Sequence, residues 1–359
     1  MCVADTKREI EEARAEIARL DAQLLGTLEK RASASRKLGE LRKGQPATLP
    51  LGDRAALHAL VARASGDLPT EAVREIFREI FSACLTLELP VRVAYLAPEG
   101  GPAHAAARGR FGASSNLVAS ESTTTAIDEV ARSRVEFAVV PLETRAEGPV
   151  QATIDALANS ELKIVATLED AWTLHLVNKT GNAADVEKVY ATAADRASCS
   201  HFLQSLGARV SVLDVKSPLY ACQLAVEDHG AAALATDVFG AALGLEVARK
   251  NVLDDGNHRV RYAIIGRRPG SRTGNDMTSF LFSVDDAPGA LLDVLKQFAE
   301  RGINLVRIHS RPVDGSSWSY LFFVEVIGHA TDRSLITAFE DVRRVAKFFR
   351  VLGSYPSAV

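Results

Sequence analysis

The chain has 359 residues, enough for two or three domains, since single domains cluster near ~100–200 residues. Hydrophobic and charged fractions of 47% and 24% are those of an ordinary globular protein and exclude a disordered chain. A formal charge of −3 provides no broad basic field for nucleic acid or anionic membranes, so the expected ligands are small molecules met by local arginine clusters. Cys2, Cys84, Cys199 and Cys222 are scattered, with no C-x-x-C and no zinc spacing; reduced thiols in a cytoplasmic protein without metal or organic cofactor are expected. The first thirty residues are charged and periodic rather than an apolar signal, and no ~20-residue apolar run exists.

Between Arg8 and about Lys43 there is no proline, and Ile10, Ile17, Leu20, Leu24 and Leu28 recur at helical spacing. One helix of ~35 residues follows, and it cannot bury such a stripe alone. Pro46, Pro50 and Gly52 end it. Asp53 caps a second helix to about Ala64, and Thr70 caps a third to about Glu88 whose core face is Val73, Ile76, Phe77, Ile80, Phe81 and Cys84. Arg14 and Arg31 lie 17 positions apart, roughly 25 Å along a helix. One helix cannot bring both to one small ligand, whereas two antiparallel copies can.

Three helices with one over-long member, carrying Arg14, Arg31, Arg42 and Arg54, resemble the all-helical chorismate mutase domain, here residues 1–89. The resemblance implies an intertwined homodimer in which Arg14, Arg31 and Arg54 hold the carboxylates of chorismate, and Arg42 with Glu88 faces its ether oxygen. Arg42 stands where lysine is usual, and Leu51 and Ala55 stand at positions where the family has acidic side chains. Glu88 can donate only when protonated, which favours an acidic optimum.

After Pro90, Val91–Leu96 reads as a strand and APEGGPAHAAARGRFG as a loop opening a helix. Phe137–Pro141 is another short buried strand, leading into PLETRAEGPV. Strands at Lys163–Leu168 and Trp172–Val177 alternate with helices near Ser198–Leu206, Tyr220–Asp228 and Asp237–Leu243, and Asn251–Gly266 closes the series with an acidic turn and a strand. Such alternation makes an α/β domain whose ligands sit beyond strand ends between two lobes.

These segments resemble the prephenate dehydratase family over residues 90–267. Tyr95, Leu96, Pro98, Glu99, Gly100 and His104 match its opening motif, with Gly101 and Ala103 at the two hydroxyl positions. Pro141, Glu143, Glu147, Gly148 and Val150 match its second loop, where Thr144 and Arg145 replace an Asn-Ser pair. Thr192-Ala193-Ala194 stands at a His-Pro-Gln, Ser217-Pro218 at a Ser-Thr, and Val260-Arg261-Tyr262 at the family's Thr-Arg-Phe. The resemblance implies a two-lobed, periplasmic-binding-protein-like domain, with Arg261 and Thr144 catalytic and Glu143 and His104 binding substrate. Expelling hydroxide from prephenate requires a positioned acid. In the family the threonine of that strand is the usual donor and its arginine orients a carboxylate. Val260 has no hydroxyl, so Thr144, His104, His258 and Tyr262 are the candidate replacements, and Arg145 is an added cation able to recognise an anion.

Arg267–Asn275 has the composition of an exposed linker. A strand at Ser279–Val284, a helix from Pro288 to about Arg301, strands at Leu305–Ser310 and Ser319–Val326, a helix at Asp332–Val342 and a strand at Lys347–Leu352 give a βαββαβ order. This resembles the ACT domain, an α+β ferredoxin-like amino-acid sensor, over residues 276–359. Gly289, Ala290, Leu291, Ser310 and Arg311 match segments that border a phenylalanine site in that family, with His309 in place of a glutamate.

The order chorismate mutase, prephenate dehydratase, ACT resembles the bifunctional enzymes of phenylalanine biosynthesis. It implies chorismate and prephenate as substrates, phenylalanine as an allosteric ligand, and a homodimer or larger assembly in the cytoplasm. Two other readings stay open: a non-aromatising decarboxylase acting on prephenate, and a catalytically silent phenylalanine-binding or partner protein.

Overall fold

The computed structural model describes residues 3–41, 52–64, 66–88, 91–112, 114–145, 148–171, 173–254, 259–312 and 320–357. Cys2, Arg42, Leu51, Glu147, Trp172 and His258 lie outside them, and only the backbone of Arg54 and Ala55 is described. The chain divides into one compact unit of Met1–Val91 with Phe111–Asn116 and another of Arg92–Arg110 with Leu117–Val359.

The first unit is all helical: α1 (Val3–Leu41), α2 (Gly52–Arg63) and α3 (Thr70–Glu88). Helix α1 packs along α3, and Gly39 permits the close approach at its end. A Cβ there would lie 2.4 Å from the Glu88 carbonyl oxygen. On α3, Val73 and Cys84 are buried and Phe77, Ile80 and Phe81 half-buried, but Ile76, expected in the core, is 49% exposed. The contact seam of α3 is narrower than its apolar face, and Ile76 sits on its flank. The stripe of α1 is also uncovered within the chain, with Ile17 59% and Leu24 57% exposed.

The second unit begins with a lobe built from β1 (Arg92–Leu96), α4 (Pro102–Phe111), β2 (Asn116–Ser120), α5 (Thr123–Ala131), β3 (Phe137–Thr144), β4 (Gly148–Pro149), α6 (Gln151–Ala158) and β5 (Lys163–Ala171). The second lobe follows: β6 (His175–Asn178), β7 (Lys188–Ala191), α7 (Ala193–Ser198), α8 (Ser200–Ser205), β8 (Ser211–Asp214), α9 (Pro218–Glu227), β9 (Ala231–Ala235), α10 (Asp237–Ala242) and β10 (Glu246–Arg249). The helix expected over Ser198–Leu206 is α8, and a further short helix, α7, precedes it, separated from it at Cys199, whose backbone leaves the helical region. The chain then returns to the first lobe as β11 (Arg259–Gly266), inserted between β3 and β5 in the order β2-β1-β3-β11-β5. The second sheet runs β10-β6-β9-β7-β8. β5 and β11 therefore lead out of and back into the first sheet, and β11 is central.

The last part is β12 (Asp276–Val284), α11 (Ala290–Ala299), β13 (Leu305–Pro312), β14 (Tyr320–Ile327), α12 (Arg333–Val345) and β15 (Phe348–Pro356), an antiparallel sheet in the order β13-β14-β12-β15. This is the ferredoxin-like arrangement expected from the sequence. Phe280, Phe282 and Val284 of β12 pack with α11 and α12, while Met277 and Leu281 join Ile127, Val140, Leu142, Ile164 and Ile265 of the first lobe in one core. Both faces of the sheet are covered, and β12 is accordingly buried along almost its whole length.

The linker residues flanking Gly270 are exposed as expected, yet the module they introduce is not loosely tethered. Gly353 brings β15 so close to β5 that a Cβ would lie 2.1 Å from the Ile164 carbonyl oxygen. Lys163 Nζ donates to the Val351 carbonyl at 2.8 Å, and Arg350 Nη1 donates to that of Ser160 at 2.6 Å.

Candidate active site

Strand β11 is organised around its register. Val260 pairs with Thr144 of β3, and Arg261 pairs with Glu143 of β3 and Glu169 of β5. Successive strand residues point to opposite faces. Val260 and Thr144 thus share one face, and Arg261, Glu143 and Glu169 share the other.

The second face meets the C-terminal sheet. Arg261 is 6% exposed, and its Nη1 and Nη2 donate to the two carboxylate oxygens of Glu325 on β14 at 2.8 and 2.9 Å. Its Nε donates to Glu143 Oε2 at 3.0 Å, and Nη2 lies 2.8 Å from the same oxygen. The fully buried Glu325 also accepts from Ser279 Oγ at 2.9 Å, Tyr355 Oη at 2.6 Å and Arg307 Nη1 at 3.0 Å. Such a fork-to-fork pair is the strongest geometry available to these groups. Burial opposes the charge on Arg261, but Glu325 outweighs it and holds the guanidinium above its ordinary pKa. Burial likewise pushes the Glu325 carboxyl up, and Arg261 overcomes this and holds it below the ordinary value.

Arg261 does not project freely as a carboxylate clamp: Nε and both Nη groups are committed to protein carboxylates. Glu143 is likewise engaged, by Arg261, by Arg307 at 3.4 Å and by His309 at 3.7 Å. Removing one member of such a buried pair costs about 3–5 kcal/mol, because the other is left charged and unpaired.

Around the ends of β3 and β11 lies a cavity of about 260 Å³ lined by Glu143, Arg145, Glu169, Arg259, Val260, Arg261 and Arg307. Arg261 and Arg307 are paired there with Glu143 and Glu325, and the strand-end guanidiniums of Arg145 and Arg259 are the part of the lining suited to an anion. The Arg145 amide donates to the Arg259 carbonyl at 3.0 Å, fixing these two residues across the strand ends. Thr144, the last residue of β3, is beside them.

His104 is buried in the first lobe. Its ring is stacked between Tyr95 and Phe239, at centroid distances of 4.6 and 5.0 Å, and its Nδ1 accepts from the Gly100 amide at 2.9 Å. Burial, with a smaller contribution from Arg108, lowers its pKa to about 4, so the ring is neutral near pH 7. Position 101 also has no room for a larger residue in this loop, since a Cβ would be 2.9 Å from the Pro98 carbonyl oxygen. Tyr262 is buried at 2% exposure. Thr192 and Ser217 cap α7 and α9, accepting from the amides of Asp195 and Tyr220.

In the helical unit Arg14 is exposed, and Arg31 is half-buried over the Phe81 ring at 4.8 Å, donating to the Ile80 carbonyl at 3.4 Å. Helix α1 runs unbroken through both, so a single copy keeps them apart. Glu88, on the last turn of α3, packs its backbone on α1 at Gly39. In the C-terminal module Gly289 has φ 88° and precedes α11, while Ala290 and Leu291 pack into its core. Ser310 is exposed. Arg311 is turned the other way, ion-paired with Asp155 of α6.

Residues 13–89 match the chorismate mutase type II family, 93–270 the prephenate dehydratase family and 278–344 the ACT domain. A bifunctional chorismate mutase/prephenate dehydratase of Aquifex aeolicus (strain VF5) is 36% identical over 357 residues, covering 98% of this chain and 99% of that protein. The chain belongs to the bifunctional chorismate mutase/prephenate dehydratase family of phenylalanine biosynthesis. Among solved structures, a prephenate dehydratase from Arthrobacter aurescens in complex with L-Phe is 29% identical with a TM-score of 0.63, covering 75% of this chain and 90% of that one. A protein described as a novel type of quorum quenching acylase, GqqA, is 24% identical with a TM-score of 0.63, covering 74% and 98% of the two chains, and shares the fold.

Within this bifunctional family member, sequence reasoning missed Glu325, Arg307, Arg259, Glu169 and Tyr355. One signal was present for Glu325: it is the single acid in the apolar run YLFFVEVI, and a buried acid in a central strand demands a cationic partner. Among the described residues, no helix is long and apolar enough to cross a membrane.

Proposed function

We propose that this chain converts chorismate to prephenate in its helical unit and prephenate to phenylpyruvate in its two-lobed domain, in the cytoplasm, with L-phenylalanine regulating it through the ACT module. The observation that carries the dehydratase assignment is the direct pairing of Thr144 with Val260. Opposed residues on paired strands hold their Cβ atoms about 4.5–5.5 Å apart on the same face. The hydroxyl lacking at 260 is therefore supplied by its cross-strand neighbour.

In this reading prephenate loses its ring carboxylate as carbon dioxide. The electron pair of the broken bond completes the aromatic ring and expels the ring hydroxyl, which takes up one proton and leaves as water. Thr144 donates a hydrogen bond to that departing oxygen, and Arg145 and Arg259 hold the carboxylates at the strand ends. Glu143 acts on the substrate indirectly, by orienting the arginines around the cavity. For the first reaction, Arg14, Arg31 and Arg54 hold the two carboxylates of chorismate in a compact conformer, with Arg42 and Glu88 at the ether oxygen. The exposed stripe of α1 supports an intertwined homodimer, since only a second copy brings an Arg14 to an Arg31. Phenylalanine regulation is supported by the ACT match and by the L-Phe complex of the Arthrobacter relative. Its ligand segment comprises Gly289, Ala290, Leu291 and Ser310; Arg311, paired with Asp155, would have to exchange that partner to take part.

The test is incubation of the purified full chain with chorismate and with prephenate separately, identifying products by mass and ultraviolet absorbance. Phenylpyruvate from both substrates is expected. A non-aromatic product lacking one carboxylate would replace the dehydratase assignment with decarboxylation. Consumption of neither, with a thermal shift on adding phenylalanine, would leave a binding protein.

A further inference from the structure

The buried pair of Arg261 and Glu325 joins β11, the strand that presents Val260 opposite Thr144, to β14 of the ACT sheet. We propose that Arg261 is a positioning residue held by Glu325, and that this pair carries the ligand state of the ACT module to the dehydratase strand instead of gripping the substrate. The inference rests on the function proposed above and supplies the route between its two sites.

Three observations lead there. First, Arg261 is saturated by Glu325 and Glu143, and Glu325 is itself fully buried with Ser279, Tyr355 and Arg307 on its oxygens. A substrate carboxylate could claim the guanidinium only by leaving Glu325 charged and without its main partner in the interior. Second, strand alternation puts Arg261 on the face toward the ACT sheet, whereas Val260 and Thr144 lie on the other.

Third, the pair has a bridging counterpart on the strand that borders the proposed phenylalanine site. Arg307 of β13 reaches both carboxylates, at 3.0 Å from Glu325 and 3.4 Å from Glu143. Ser310 follows it three positions later on the same edge strand. A small displacement of β13 therefore redistributes Arg307 between the two acids that hold Arg261. Because the ACT sheet and the first lobe share one close-packed core, such a change is transmitted to β11 and not absorbed at a tether. Two arginines and two glutamates with alternative pairings form the kind of discrete element that both sites can bias.

The experiment uses the full chain and compares it with Glu325→Gln and with the double variant Arg261→Met/Glu325→Met, which removes both charges while keeping apolar volume. Dehydratase kcat and KM for prephenate are measured with and without phenylalanine, and phenylalanine binding is measured separately by calorimetry. The double variant is expected to keep its KM for prephenate within about fivefold of the parent and its phenylalanine affinity within about threefold, while the phenylalanine effect on the reaction shrinks at least about fivefold in both variants.

A double variant that still binds phenylalanine but has its KM raised about a hundredfold or more would show that Arg261 grips substrate, and would overturn the proposal. So would a phenylalanine effect of full size in Glu325→Gln, a variant that keeps the side-chain shape and decides the matter even where the double variant does not fold. Hydrogen exchange at Val260–Tyr262 on adding phenylalanine gives a second readout: a change is expected in the parent and not in the variants. Absence of prephenate turnover or of phenylalanine binding in the parent is a different result, the failure of the underlying assignment, and is seen before any variant is compared.

Discussion

Thr144 and Val260 are direct cross-strand partners, 116 positions apart in the sequence and adjacent in the sheet. Replacing Thr144 by valine removes the hydroxyl and keeps the shape. Dehydratase turnover is expected to fall on the order of 10²–10⁴-fold, with chorismate mutase turnover of the same preparation retained. Adding Val260→Thr to Thr144→Val is expected to recover part of the loss. Steady-state rates of phenylpyruvate formation check both statements, and a Thr144→Val protein with parental turnover would remove Thr144 from the mechanism.

His104 makes the fold sensitive to mild acid. Its pKa is about 4 in the folded chain against an ordinary 6.5, so the folded state takes up its proton less readily. Its contribution is fully present above pH 6.5 and is lost as pH falls from there toward about 4. Protonation would also cost Nδ1 its role as acceptor for the Gly100 amide. Thermal melts between pH 7 and 4 should show a shallower decline for His104→Gln than for the parent.

Gly39 is a packing requirement of the helical unit. An added methyl would sit 2.4 Å from the Glu88 carbonyl oxygen, so α1 and α3 must separate at the end that carries Glu88. Gly39→Ala gains helix propensity, yet the overpacking is expected to cost about 1–3 kcal/mol. Chemical denaturation followed by circular dichroism measures the loss. Mutase activity should fall and dehydratase activity persist.

Gly353 plays the same part between β15 and β5, where an added Cβ would lie 2.1 Å from the Ile164 carbonyl oxygen. The obstacle is backbone, which cannot rotate away. Gly353→Ala should lower the melting temperature of the larger unit by several degrees, consistent with a loss of about 1–3 kcal/mol. A variant melting with the parent would mean that β15 shifts freely along β5.

The helices and the ferredoxin-like order were legible because their signals are local. Helix α3 spans Thr70–Glu88, ending as read because its periodic face lies within one segment, although Pro69 and not Thr70 stands at the capping position, its carbonyl accepting from the Val73 amide. The strand AAALA at Ala231–Ala235 carried no such signal. Alanine favours helices, and only complete burial between β6 and β7 makes this segment a strand. The candidate site divided along the same line. The exchange at Val260 was visible in sequence, and Thr144 could be named as one of several replacements, but its place directly opposite Val260 is a matter of register. The commitment of Arg261 to Glu325 is a contact across 64 positions. A motif read by resemblance gives the arginine a role without naming the acid that occupies it.

Along the unbroken α1, Ile17 and Leu24 are uncovered and Arg14 and Arg31 lie roughly 25 Å apart. In the intertwined dimer proposed above each mutase pocket takes one arginine from each copy, so defects at the two positions should complement. Arg14→Ala and Arg31→Ala proteins, each inactive as a mutase alone, should on unfolding and refolding together regain about a quarter of parental activity, since half the random pairs are mixed and each mixed pair holds one intact pocket.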